Sequence, residues 1–196
     1  MLDRIVRGWV HGGFLAGLLI LTMMPLLAGS WTPALASTFL CLPIYMIHQF
    51  EEHDDDRFRR YVNEFIGGGR EVLSPWAVFL INIPGVWGVI AASTWLAARI
   101  DVGLGLIAAY LVLVNAVSHI GSWIALRRYN PGVITAAVLF LPMGSYTIWA
   151  IDREGGGTVA MHLIGLGTAL AIHAAIIGYV ASNRGRAREI ADIRPS

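Results

Sequence analysis

Histidine and carboxylate crowd together at one point in this chain. Residues 47–56 read IHQFEEHDDD: His48, then Glu51 and Glu52, then His53 and three aspartates. On a helix, His48 shares a face with Glu51 (i, i+3) and with Glu52 (i, i+4). The two glutamates diverge by about 100° around the axis. They therefore serve two ions, or one ligates while the other acts as a base. Imidazole and carboxylate without thiolate suit iron, zinc or manganese better than copper(I) or an iron–sulfur cluster. The competing reading is a solvated helix end with no chemistry. Taken alone, the motif favours that second reading.

More residues of the same chemistry lie elsewhere. Asn115 and His119, in LVLVNAVSHIGSW, are again i, i+4 and point the same way. His173 sits in the apolar run ALAIHAAIIG, and Tyr129 in the polar break RRYNPG. The metal candidates are thus His48, Glu51, Glu52, His53, His119 and His173, and the catalytic candidates are Glu52, Asn115 and Tyr129. Each has a plainer role open to it, Asn115 and His119 as polar contacts between helices and His173 as a satisfied core residue.

Such residues need elements to carry them, and the composition says which. Of 196 residues, 56% are apolar and only 14% charged, with mean hydropathy +0.63. Several stretches of about 20 residues carry no charge, enough to cross roughly 30 Å of hydrocarbon as a helix. The expected fold is all-α, a polytopic membrane helix bundle with about six transmembrane helices, forming a single integral membrane domain over 1–196. The apolar runs are 8–29, 32–52, 75–98, 102–126, 131–151 and 158–181. The first resembles a leader, with Arg4 and Arg7 ahead of it and ALAS at 34–37, but counts here as a span. Pro25, Pro43, Pro84 and Pro142 fall inside these runs and can kink them.

With the N-terminus in the cytoplasm, six spans put Arg4, Arg7, Arg57, Arg59, Arg60, Arg70, Arg127, Arg128, Arg184, Arg186, Arg188 and Arg194 on one side. Only Arg99 and Arg153 fall on the other. That asymmetry predicts the plasma (inner) membrane with both termini cytoplasmic. It also brings His48, His119, His173 and His11 to the cytoplasmic half, with His119 roughly 10 Å deep at 1.5 Å per residue. Ionisable groups at such depth are costly and point to function. The 53–74 segment becomes a cytoplasmic loop whose RFRRYVNEFI stretch suits a helix at the headgroup level. Cys41 is the single cysteine, so no intramolecular disulfide or CxxC motif exists. No basic patch marks a nucleic-acid partner. The partners expected are the lipid bilayer and a small lipophilic substrate, and an oligomer is compatible with both.

Three motifs resemble one family. His48-Gln49-Phe50-Glu51-Glu52 matches H-x-x-E-E, Asn115 to His119 matches N-x-x-x-H, and Tyr129-Asn130-Pro131-Gly132 matches Y-x-P-G. Their order and spacing resemble the HXXEE-domain family of integral membrane proteins. The resemblance implies membrane embedding and a role for these residues; it implies no particular activity. Read physically, Tyr129 anchors at the interface, Asn130 turns the chain and Pro131-Gly132 starts the fifth helix.

The function expected is a metal-dependent membrane enzyme with a His/Glu site near the cytoplasmic face, acting on a lipophilic or amphipathic molecule. A non-haem iron or di-iron oxidoreductase is favoured, because the ligands outnumber what one zinc needs. A zinc-dependent membrane hydrolase comes next. A proton or solute transporter, or a structural subunit without metal, is the non-enzymatic alternative.

Overall fold

In hydrocarbon every backbone N–H and C=O must be paired within its own segment, so the charge-free runs fold as helices. The structure, a computed structural model, describes residues 2–193, with side chains to Arg186. Among the described residues there are no strands, and six long helices alternate in direction: Leu2–Leu27, Pro33–His53, Pro75–Arg99, Val102–Leu126, Val133–Arg153 and Val159–Ile193. The first begins before the apolar run expected at 8, and the sixth continues beyond 181. Arg188 and Arg194, counted in the arginine asymmetry, lie outside the described side chains.

Local chemistry sets the ends. Thr32 accepts from the N–H of Leu35 and Pro33 opens the second helix; Ser74 and Pro75 do the same for the third. The Glu154 carboxylate also accepts from the Ala34 N–H at 2.8 Å, which ties the end of the fifth helix to the start of the second. Pro84 lies within a widened, π-type stretch, Ile81–Trp87, in the third helix. Another such stretch, Ala136–Phe140, precedes Pro142 in the fifth. Pro43 leaves the second helix unbroken.

Five of the six helices are long and apolar enough to cross a membrane. The second falls short because its inward face is polar. Its buried positions Ala34, Ser37, Thr38, Cys41, Tyr45, His48, Gln49 and Glu52 recur every three or four residues. They face a centre built by the third, fourth and fifth helices, while the first helix covers the other side. Close approach there uses small residues: a Cβ on Gly17 would sit 3.0 Å from the Pro43 carbonyl oxygen, and one on Gly165 would sit 2.8 Å from that of Leu106.

The 53–74 segment folds as a tight turn over Asp54–Asp56, a short helix Arg57–Tyr61 and a wider turn Val62–Ile66. Tyr61, Val62, Val72 and Leu73 are buried against Trp9, Val10 and Val78, so this segment closes the arginine-rich end of the bundle. Phe65 and Ile66 stay exposed, and the Arg128 guanidinium lies 4.3 Å over the Phe65 ring.

Candidate metal centre

The last turns of the second helix place His48 and Glu52 on its inward face, and His119 meets them from the fourth helix. Their relative exposures are 0%, 5% and 5%. Glu52 Oε2 lies 3.5 Å from His48 Nε2, and Oε1 lies 3.4 Å from His119 Nε2. One ligand atom from each of the three falls within 4.8 Å of the others.

The far sides of both imidazoles are committed. His48 Nδ1 is 2.8 Å from Thr135 Oγ1, which in turn lies 2.5 Å from Glu51 Oε2. An ionised carboxylate only accepts, so the Thr135 hydroxyl donates to Glu51 and accepts from His48 Nδ1–H. His119 Nδ1 is 2.7 Å from Asn130 Oδ1, while Asn130 Nδ2 donates to the His119 carbonyl at 3.0 Å. That second bond fixes the amide orientation, so His119 Nδ1 is the donor. Both rings therefore direct Nε2 lone pairs at the same buried carboxylate. His48 Nε2 has no hydrogen-bond partner. Lone pairs facing lone pairs repel unless positive charge lies between them.

Spacing separates a proton from a metal. Charge-assisted N–H···O bonds run at about 2.7–2.9 Å. Ligand atoms about 2.0–2.1 Å from a tetrahedral ion stand roughly 3.3–3.4 Å apart. The 3.4 and 3.5 Å separations, each to a different oxygen of Glu52, are longer than the first case and close to the second.

Glu51 is turned elsewhere. Its carboxylate accepts from the Tyr129 hydroxyl at 2.8 Å, the N–H groups of Ile134 and Thr135 at 3.2 and 2.7 Å, and the Thr135 hydroxyl. It caps the fifth helix from a neighbouring helix, as an anion at a helix N-terminus does. Tyr129 is held as a donor: burial, then the adjacent Glu51 carboxylate, push its phenol up to about 12.

The Y-x-P-G stretch positions the metal candidates more closely than its turn chemistry foretold. Tyr129 holds Glu51, Asn130 orients His119, and Gly132 (φ +98) lies against both rings. A Cβ there would meet His48 Cε1 at 2.8 Å and His119 Cε1 at 2.9 Å. Asn130, Gly132 and Thr135 are thus positioning residues not singled out from the sequence as such. The Y-x-P-G motif itself was the available signal for the first two; nothing in the spacing pointed to Thr135.

The other sequence candidates surround this group. His53 Nε2 is buried 3.1 Å from Glu52 Oε2, with its ring between Trp9 and Phe58. His173 donates from Nδ1 to the Ala169 carbonyl at 2.9 Å and lines a cavity beside the cluster. Asn115 donates to the Tyr45 hydroxyl at 2.7 Å rather than orienting His119. His11 stands apart, 65% exposed and 3.5 Å from Asp54. Gln49 is structural: it donates to Asn82 at 2.7 Å and accepts from the Trp87 indole at 2.6 Å.

The cavity, about 280 Å³, has Glu52, His119, Asn115 and Tyr45 at its polar end and Leu111, Val86, Ile172 and Ile176 among its apolar walls. No curated protein and no solved structure matches the chain. The family described as "Protein of unknown function with HXXEE motif" matches residues 39–147, a stretch that includes every residue of the His48–Glu52–His119 group and its supports, and the chain belongs to that family.

Proposed function

We propose that this protein is an integral membrane metalloenzyme that holds one divalent ion, iron by preference, between His48, Glu52 and His119. Its substrate is a small lipophilic molecule bound in the adjoining cavity. The observation that carries the reading is the pair of imidazoles with Nδ1–H committed to Thr135 and Asn130 and both Nε2 atoms aimed at Glu52. Two histidines and one carboxylate on one face of an ion leave positions open for reactants, the arrangement of non-haem iron oxidoreductases. A second ion has less support, because Glu51 is committed to the fifth helix and Tyr129. The same commitment removes Glu51 as a free base for hydrolysis. A zinc hydrolase is the second reading; His53, 3.1 Å from Glu52, favours it as a proton carrier.

A conduit fits less well. The apolar cluster of Cys41, Ile90, Leu111, Val112 and Phe140 lies between this site and the Tyr110–His162–Asp152 chain at the opposite end. Metal analysis of protein purified without chelator or histidine tag tests the proposal. The expected result is close to one iron per chain, in line with a built three-ligand site. One zinc per chain selects the hydrolase; no transition metal at all overturns both.

The arginine-rich end is assigned to the cytoplasm on charge asymmetry. Cys41 is buried and gives no background to thiol labelling. In intact cells an impermeant reagent is expected to reach a Gly29→Cys thiol, where a side chain meets nothing within 4 Å, and to miss one at the exposed Glu64. The reverse pattern would invert the orientation.

A further inference from the structure

Of the residues lining the cavity beside the metal candidates, His53 and Asn115 each carry a buried polar atom without a partner; His53 Nε2 faces Glu52 at 3.1 Å, which leaves Asn115. Asn115 Oδ1 is buried and has no partner, although Asn115 Nδ2 donates to the Tyr45 hydroxyl at 2.7 Å. Tyr45 is 2% exposed; its oxygen accepts from Asn115, so its own O–H proton is free to donate. Side by side, an open acceptor and an open donor face a space that also holds Glu52 and His119. A buried polar pair of this kind needs a partner.

A hydroxyl answers both, since it donates once and accepts as well, and it does so with the fewest polar atoms. A carbonyl or ether oxygen accepts only and leaves Asn115 Oδ1 unpaired. A carboxylate adds like charge next to Glu52. A protonated amine has no lone pair for Tyr45. The rest of the molecule must be apolar, because the remaining walls include Ile172, Ile176 and Ile177 of the sixth helix.

The route in is sideways. Ser118 and Ser122 of the fourth helix and Ile66 and Ile177 also line the cavity, and Ser118, Ile66 and Ile177 are exposed. Ser118 is about 12 Å below the end of the fourth helix at 1.5 Å per residue, which is acyl-chain depth rather than water. At roughly 30 Å³ per water-sized unit, the volume holds about nine non-hydrogen atoms.

We infer that the site takes a hydroxyl-bearing apolar molecule from the membrane. It enters between the fourth and sixth helices and is held by its hydroxyl between Asn115 and Tyr45, next to Glu52. The inference rests on the metalloenzyme reading for what the hydroxyl is presented to; the binding itself does not require it.

The probe is hexan-1-ol carrying a diazirine on its penultimate carbon, applied to the protein in lipid nanodiscs, with the matched methyl ether as comparison. Saturable photolabelling by the alcohol is expected, with the ether about tenfold weaker, because a site built for a hydroxyl penalises its absence. Asn115→Leu is expected to abolish the preference, and Ser118→Trp to abolish labelling by both while metal content stays unchanged. Equal labelling by alcohol and ether, or a preference surviving in Asn115→Leu, overturns hydroxyl recognition and assigns the cavity to an acyl chain. Undiminished labelling in Ser118→Trp overturns the route. Metal content measured on the same samples separates the two proposals: metal without alcohol preference sinks this one alone, and alcohol preference without metal sinks the metal site alone.

Discussion

Replacing His119 by alanine is expected to bring bound metal down to background while the bundle stays folded. His119 supplies one of three buried ligand atoms, and no other group among the described residues joins His48 and Glu52 within 4.8 Å. Its loss leaves His48 and Glu52, both on one helix, too few to hold an ion against water. The fold rests on other contacts: the six helices pack through apolar clusters around Cys41, Ile90 and Phe140 and around Trp9, Val10 and Val78. Thr135→Val is expected to act less severely. It keeps all three ligands but frees His48 Nδ1 from the Thr135 hydroxyl and removes one donor from Glu51. Loss of such an orienting bond lowers metal affinity by about 10–100-fold. His162→Ala is the control, a histidine of similar chemistry at the other end, hydrogen-bonded to Tyr110 at 2.8 Å. Elemental analysis with circular dichroism on the four proteins decides. Equal metal in wild type and His119→Ala would remove His119 from the site.

Much of this arrangement was legible in the chain, for reasons that also mark where legibility stops. Helical spacing is local, so the pairing of His48 with Glu52 followed from an i, i+4 offset. That His119 comes level with the last turns of the second helix followed from counting residues to the end of its own helix. The roughly 100° between Glu51 and Glu52 said that they part company. It could not say which one turns inward, because that depends on the rotation of the second helix against its neighbours. The structure turns Glu52 to the histidines and Glu51 to the fifth helix. Contacts between distant residues had no such guide: His48 and Thr135 are 87 residues apart. His173 shows the same limit: it lines the cavity beside the cluster, while its Nδ1 turns to its own helix at Ala169. The second helix is the instructive case at the level of fold. The buried polar residues of its inward face, Ser37, Thr38, His48 and Gln49, are the ones that hold it below the hydropathy of a lipid-facing span.

Alanine at Gly132 is expected to be the most damaging single methyl group that can be added near the site. Two effects act at once. The backbone there has φ +98, a region that L-residues enter only with strain of order 1–3 kcal/mol. The new Cβ would also sit 2.8 Å from His48 Cε1 and 2.9 Å from His119 Cε1. Ordinary carbon–carbon contact is about 3.5–4.0 Å, so the rings or the turn must move by roughly 0.6 Å or more. Neither ring yields freely, since Thr135 holds one and Asn130 the other. A displacement of that size exceeds the tolerance of about 0.5 Å within which a built site works. Gly68→Ala separates the two effects: its φ is +65, but an added Cβ meets nothing within 4 Å. Gly68→Ala is expected to lose a little thermal stability and keep its metal. Gly132→Ala is expected to lose stability and at least about tenfold in metal affinity, the lower bound for a misplaced ligand pair. If Gly132→Ala binds metal as wild type does, the contact of this glycine with the two rings does not set their positions, and the Y-x-P-G turn reverts to the simple helix start that its residues suggest.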